Sequence, residues 1–250
     1  VTKKGGNFVP IGIIINSLSI IIGGLLGGFL GHLLSEDFKV QITLIFGVCS
    51  MAMGIPSISQ MANMPAVILA IILGTSLGLL LNFNQKINAA ATLMQKPIAK
   101  FPQQELKLSY DDYMSTLVTI VVLFCASGTG IFGSLTEGMT GDHTILIAKS
   151  ILDFFTAAIF ACNIGYVVSV IAIPQFLIFF SLFLVATVVF PLTTPAMILD
   201  FKACGGFLML ATGFRMIKVK MFPTADMIPA MLLVMPISWI WTTWILPLLG

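Results

Sequence analysis

The sequence predicts an all-α fold, a polytopic integral membrane helix bundle of about seven or eight transmembrane segments, with inverted repeats and short or broken helices. Composition is the first ground. The 250 residues are 58% hydrophobic and 9% charged, with mean hydropathy +1.07, where a soluble domain carries about 25% charged residues. The second ground is pattern: the apolar residues gather in long runs bounded by charges or turn residues. No soluble domain fits beside them, so 1–250 reads as one transmembrane domain. A net charge of +2 with no basic cluster gives no reason to expect a nucleic-acid partner.

The first segment is 8–34. The opening Val-Thr-Lys-Lys resembles a signal-peptide n-region. The apolar run after it is too long for an h-region and lacks an A-x-A site, so it reads as a retained helix. Gly12, Asn16, Ser19, Gly23, Gly27 and Gly31 share one stripe, with Gly24 and Gly28 beside it. Small residues at this spacing let helix backbones approach closely, within one protomer or across a dimer. A homo-oligomer is therefore expected. Asn16 is an amide deep in an apolar run and needs a partner, either along a polar path or between two helices.

The second and third segments are 40–58 and 64–81. The interval 82–112 is polar and carries Lys86, Lys96, Lys100, Glu105, Lys107, Asp111 and Asp112. It reads as a cytoplasmic linker. Ile87, Ala90, Ala91 and Met94 are spaced for one face, which would suit a short helix on the membrane surface instead.

The fourth segment, 114–135, ends in Ser127-Gly128-Thr129-Gly130-Ile-Phe-Gly133. Glycines weaken a helix. Irregular backbone at membrane depth is tolerated where it is protein-buried or lines a cavity. Ser127 and Thr129 are thus candidates for a solute pathway, and Gly128, Gly130 and Gly133 for close packing. Glu137 and Asp142 follow in an expected acidic outer loop.

The fifth segment, 145–170, holds Lys149 and Asp153 one turn apart. An ionisable residue at bilayer depth is costly and marks a functional site by default. Lys149, Asp153, Thr156, Phe160 and Asn163 recur at spacings that share a helix face. Lys149 sits about 10 Å in from Asp142 and Asp153 about 16 Å in. A self-neutralising structural pair is the bland alternative. However, Lys before Asp is the poorer order for such a pair and opposes the helix dipole. Asp153, Lys149, Asn163, Thr156, Asn16, Ser127 and Thr129 make up the predicted solute or ion pathway.

The sixth, seventh and eighth segments are 174–199, 203–214 and 227–249. Only twelve residues separate Lys202 from Arg215, about 18 Å of helix against a core of about 30 Å. Either both cations snorkel, or this is a half-helix entering a cavity. If it meets the glycine-broken fourth segment beside Asp153, the two would build one polar site. Asn63-Met-Pro-Ala-Val-Ile-Leu and Asp226-Met-Ile-Pro-Ala-Met-Leu also resemble each other, as an inverted repeat would have it.

With eight spans, one side carries Lys39, Lys86, Lys96, Lys100, Lys107, Arg215, Lys218 and Lys220, and is expected to be cytoplasmic. Both termini would then lie outside. Cys49, Cys125, Cys162 and Cys204 are far apart in apolar surroundings and read as reduced core residues. His32 and His143 read as interfacial polar groups. Neither a metal nor any cofactor is expected, and no nucleophile, phosphate-loop or metalloprotease motif suggests an enzyme.

Leu123-Phe-Cys-Ala-Ser-Gly-Thr-Gly-Ile-Phe-Gly133, Glu137-Gly-Met-Thr-Gly-Asp142, Ile147-Ala-Lys-Ser-Ile-Leu-Asp-Phe-Phe-Thr-Ala157 and Lys220-Met-Phe-Pro223 resemble the bacterial YqgA-type inner-membrane proteins. Asn16 with its glycine stripe and Cys204-Gly-Gly-Phe-Leu-Met-Leu-Ala-Thr-Gly213 fit as well. The resemblance implies a multi-pass protein of a Gram-negative inner membrane, in a family of unknown function loosely associated with biofilm formation. It supplies no substrate and no site residues. The extra 1–9 departs from the pattern.

Two functions are expected from the residues. One is a secondary transporter or channel for a small polar solute or ion, with the lipid bilayer, that solute and further copies of the chain as partners. The other is a scaffold or regulator acting through helix packing. A wetted cavity reaching Asp153 would favour the first, and a dry, sealed ion pair the second.

Overall fold

The computed structural model describes residues 9–30, 35–98 and 110–248, with no strand among them. The helices are α1 (Ile11–Leu30), α2 (Glu36–Ser59), α3 (Met64–Leu80), α4 (Phe83–Ile98), α5 (Tyr110–Cys125), α6 (Gly128–Thr140), α7 (Thr144–Ile164), α8 (Val167–Val170), α9 (Ala172–Val189), α10 (Pro195–Met216) and α11 (Ile228–Ile240). A π turn, Trp241–Ile245, and a 3-10 turn, Leu246–Leu248, continue α11. Seven stretches are long and apolar enough to cross a membrane, or eight if α3 and α4, bent by 59°, count as one. The protein is a polytopic helical membrane bundle.

Glycines set the helix pairing. On α1, a Cβ at Gly23 would fall on the Phe154 carbonyl, and one at Gly27 on the Ala158 carbonyl. Both numbers rise together, so α1 and α7 run parallel, backbone against backbone. Gly47 meets the Gly213 carbonyl and Gly54 the Gly206 carbonyl, while Gly213 and Gly206 meet those same two glycines in return. That reciprocity makes α2 and α10 antiparallel. Ser50 lies between the crossings and donates to the Met209 carbonyl at 3.1 Å. Gly74 against Ala230 and Gly78 against Asp226 make α3 and α11 antiparallel. The relative directions are those of eight alternating spans.

The α1 stripe is therefore covered by α7 of the same chain. Over its described residues it offers no face for a second copy, and the ground given for a homo-oligomer is lost there. Gly31 and His32 lie outside the described residues, as do Lys100, Glu105 and Lys107.

Several segment ends differ from expectation. The seventh segment is not short. α10 runs over 22 residues and takes in both Asp200 and Lys202. Charges failed as boundaries here because each is satisfied within the protein. Asp200 accepts four hydrogen bonds, and Lys202 reaches Asp142 at 3.3 Å. The fifth segment stops at Ile164, where Gly165 takes φ 77°, a left-handed value that suits glycine. In the polar interval, 83–98 is helical, and Gln95 donates to the Met114 carbonyl of α5 at 2.8 Å. Ala91 and Met94 of its predicted face pack against the protein core.

The fourth segment breaks, as expected, but at Ala126 and Ser127 rather than through the glycines. Ser127 caps α6, its hydroxyl accepting from the Gly130 N–H at 3.1 Å. Gly128 then packs on Leu208, Gly130 on Phe179 and Gly133 on Leu146.

Candidate functional site

The site starts on α1. Gly12, Gly23 and Gly27 bring its backbone close enough to α7 for short side chains to bridge the pair. Asn16 is fully buried and donates through Nδ2 to Asp153 Oδ2 at 2.8 Å. Its Oδ1 accepts from Gln175 Nε2 on α9, also at 2.8 Å. Gln175 Oε1 accepts from the Ser17 hydroxyl at 2.7 Å. A chain of buried polar groups therefore runs Asp153–Asn16–Gln175–Ser17 across three helices.

Asp153 Oδ2 also accepts from Lys149 Nζ, in an i,i+4 ion pair whose side chains are only 10% and 5% exposed. The Lys149 ammonium lies 6.0 Å from the Phe124 ring centroid on α5, a distance suited to cation–π attraction. Phe124 is the penultimate residue of α5, so the end of that helix borders the ion pair.

The structure brings together Lys149, Asp153 and Asn16 but not the rest of the predicted pathway. Asn163 is exposed and Thr156 only half-buried, because the buried face of α7 runs through Asp153, Ala157, Ala161 and Ile164. Thr129 is buried within α6, and Ser127 serves as its cap. The fourth and seventh segments do meet, but through Gly128 against Leu208 and Phe132 against Gly205, which is apolar packing. They build no joint polar site.

Sequence reasoning missed Gln175, which completes the amide chain. A lone amide in the apolar run of α9 was the available signal. Glu137 is not in an outer loop. It is fully buried on α6, and its carboxylate accepts from the N–H groups of Gly12 at 2.7 Å and Ile13 at 3.3 Å. The helix macrodipole favours an anion there. Nothing acidic lies in the first turn of α1, and that uncapped start was the signal. Asp200 does the same for the turn into α3, accepting from Ala62 N–H and Asn63 N–H at 2.8 Å, Asn63 Nδ2 at 2.9 Å and the Ser238 hydroxyl at 2.6 Å. Asp226 accepts from the Asn84 N–H at 2.9 Å.

Asp142 lies between α6 and α7. Burial alone would raise its carboxyl. Hydrogen bonds from Thr144 and the charge of Lys202 outweigh that and hold it below its ordinary value of 3.8. Cys125 and Cys204 are buried, Cys162 is half-buried and donates to the Ala158 carbonyl at 3.1 Å, and Cys49 is, against expectation, exposed. No group of three potential metal ligands occurs among the described residues.

Residues 11–239 match the family described as Protein of unknown function (DUF554). The chain belongs to the DUF554 family. It is 47% identical over 234 residues to Uncharacterized protein YqgA of Escherichia coli K12, covering 94% of this chain and 98% of that one. It is 26% identical over 226 residues to Uncharacterized membrane protein YdfK of Bacillus subtilis 168, covering 89% and 93%. No solved structure matches this DUF554 chain.

Proposed function

We propose that this protein is a secondary transporter of a small charged or polar solute across the bacterial inner membrane. The observation that carries the reading is the Lys149–Asp153 pair, buried in a spanning helix and tied to two further helices through Asn16 and Gln175. Placing charge at that depth costs free energy that packing alone does not require. The reciprocal glycine crossing of α2 and α10, with the antiparallel α3 and α11, supports an inverted repeat. Such repeats commonly hold a solute site at their interface, near the midplane. The site is closed, which fits an occluded state of alternating access better than an open channel.

One observation favours the scaffold reading: the pair is sealed and self-neutralised. Flux separates the two. Purified protein in proteoliposomes would be pulsed with organic acids, amino acids and inorganic ions while charge movement is recorded. Transport predicts a current that Asp153→Asn abolishes without unfolding the protein. Absence of any current would leave the scaffold reading standing, and full activity in Asp153→Asn would show that the ion pair is not the solute site.

A further inference from the structure

The buried pair is shut off on one flank by apolar side chains. Ile13, Leu146, Phe179 and Phe183 form one buried cluster. Ile13 stands one turn before Asn16 on α1, Leu146 one turn before Lys149 on α7, and Phe179 one turn after Gln175 on α9. The cluster therefore plugs the Asp153–Asn16–Gln175 network on the side of the bundle that holds the start of α1. Leu146 is wedged there, since a Cβ at Gly12 or at Gly133 would fall on it.

Two helix pairs meet at this plug. α1 and α7 are joined backbone to backbone at Gly23 and Gly27, and α6 and α9 by Gly138 against the Phe183 carbonyl and Gly130 against the Phe179 ring. α1, by contrast, packs only lightly on α6. A direct tie between them is Glu137, fully buried, which accepts from the Gly12 and Ile13 N–H groups at 2.7 and 3.3 Å. One of its donors is thus the backbone of a plug residue. Asp200 also accepts from two backbone N–H groups, but the Asn63 and Ser238 side chains fix it with two further bonds. Among the described residues, the bonds Glu137 makes all go to α1.

Hydrogen bonds to a carboxylate are charge-assisted, about twice as strong as neutral ones, and an anion suits a helix N-terminus. A proton on Glu137 removes both advantages. It forms one O–H bond, breaks no covalent bond and needs a single lone pair. A metal ion would instead face the two N–H donors already aimed at the carboxylate. His143 adjoins this group: its Cβ and Glu137 Oε2 lie 3.0 and 3.1 Å from the Cβ position of Gly12. The other charged neighbours are engaged elsewhere. Asp142 pairs with Lys202 of α10, Lys149 of α7 pairs with Asp153, and Asp200 of α10 turns to Asn63 and Ser238. α1 and α9 carry no titratable residue. We infer that Glu137 is a proton-binding latch: taking up a proton releases the start of α1, lets the α1–α7 pair part from α6–α9, and opens a route past the plug to Lys149 and Asp153. This rests on the transport reading of that pair and adds the ion that admits its solute.

The test is hydrogen exchange on the full chain in detergent, because the Gly12 and Ile13 amides are the donors the latch holds. After correction for the intrinsic pH dependence of exchange, their protection should fall about tenfold as acid protonates Glu137. Ala62 and Asn63, held by Asp200, should keep theirs. Glu137→Gln, neutral at every pH, should show the low protection throughout. In proteoliposomes pulsed with the same organic acids, amino acids and inorganic ions, acid should speed flux in wild type, and Glu137→Gln should be fast and insensitive to pH. Protection of Gly12 and Ile13 that ignores pH in wild type would overturn the inference, and that measurement needs no variant to fold. Flux whose acid dependence survives in Glu137→Gln would overturn it too. Acid-dependent protection without any flux would remove the transport reading and keep the latch. Flux with pH-independent protection would do the reverse.

Discussion

Asn16 on α1 holds Asp153 on α7 through a 2.8 Å hydrogen bond at the crossing where Gly23 and Gly27 let the two backbones meet. The short amide reaches only because those glycines lack side chains. Close approach and polar contact are one design: the packing stripe positions the amide, and the amide satisfies the carboxylate. Gln175 then ties α9 to the same point.

Asn16→Ala should therefore destabilise the protein by about 1–3 kcal/mol, the cost of a buried group left unpaired. Thermal unfolding in detergent measures it. Gln175→Ala should show a smaller loss in the Asn16→Ala background than in wild type, because both belong to one network. Additive losses would show that the two amides act separately.

The stripe itself can be graded. A Cβ at Gly27 falls on the Ala158 backbone, which cannot move aside, whereas one at Gly128 meets the side chain of Leu208 at 3.0 Å. Gly27→Leu should push α1 off α7 and cost about 1–3 kcal/mol or more. Gly128→Ala should be milder, because the Leu208 side chain can shift. Thermal unfolding of the two variants in detergent would report the difference.

These cases show what the sequence could reveal. Spans were legible because apolar runs of bilayer length have few other uses, and Asp153 because it interrupts one. The glycine stripe announced close packing but not its partner, since a stripe on one helix looks the same whether a second copy or α7 covers it. Asp200 and Lys202 misled for a physical reason. A charge marks the end of a span only if water must solvate it, and here Asn63 and Ser238 replace that water for Asp200 while Asp142 pairs with Lys202. Long-range pairing of this kind leaves no local signal.

Asp142 gives a pH prediction. Its folded value lies below the ordinary 3.8, so its contribution to stability is present above that value. The contribution fades as pH falls through the folded value. Wild type should exceed Asp142→Asn in thermal midpoint at neutral pH, and the gap should close in acid. Lys202→Met should shrink the gap at neutral pH, since the Lys202 charge helps hold Asp142 down. A gap independent of pH would show that the Thr144 and Lys202 contacts do not depend on the ionised carboxylate.

The order of the ion pair supplies the last test. Lys149 precedes Asp153 on α7, against the dipole preference that puts acidic groups nearer a helix N-terminus. Lys149→Asp alone, or Asp153→Lys alone, strands like charges in the interior and should cost about 3–5 kcal/mol. The double swap restores a neutral pair in the better order. The amides can follow, because each can turn over: Asn16 would then present Oδ1 to the new cation and Nδ2 to Gln175, and Gln175 would donate to Ser17 instead of accepting from it. A purely structural pair should therefore survive the swap with near-native stability and with every other property of the protein intact. A pair that handles a solute should not, because the cation would leave its place beside the Phe124 ring of α5. Thermal unfolding and flux measured on the same double variant separate the two. Native stability with flux lost is the expected result, and flux retained would show that α7 needs only a neutral pair.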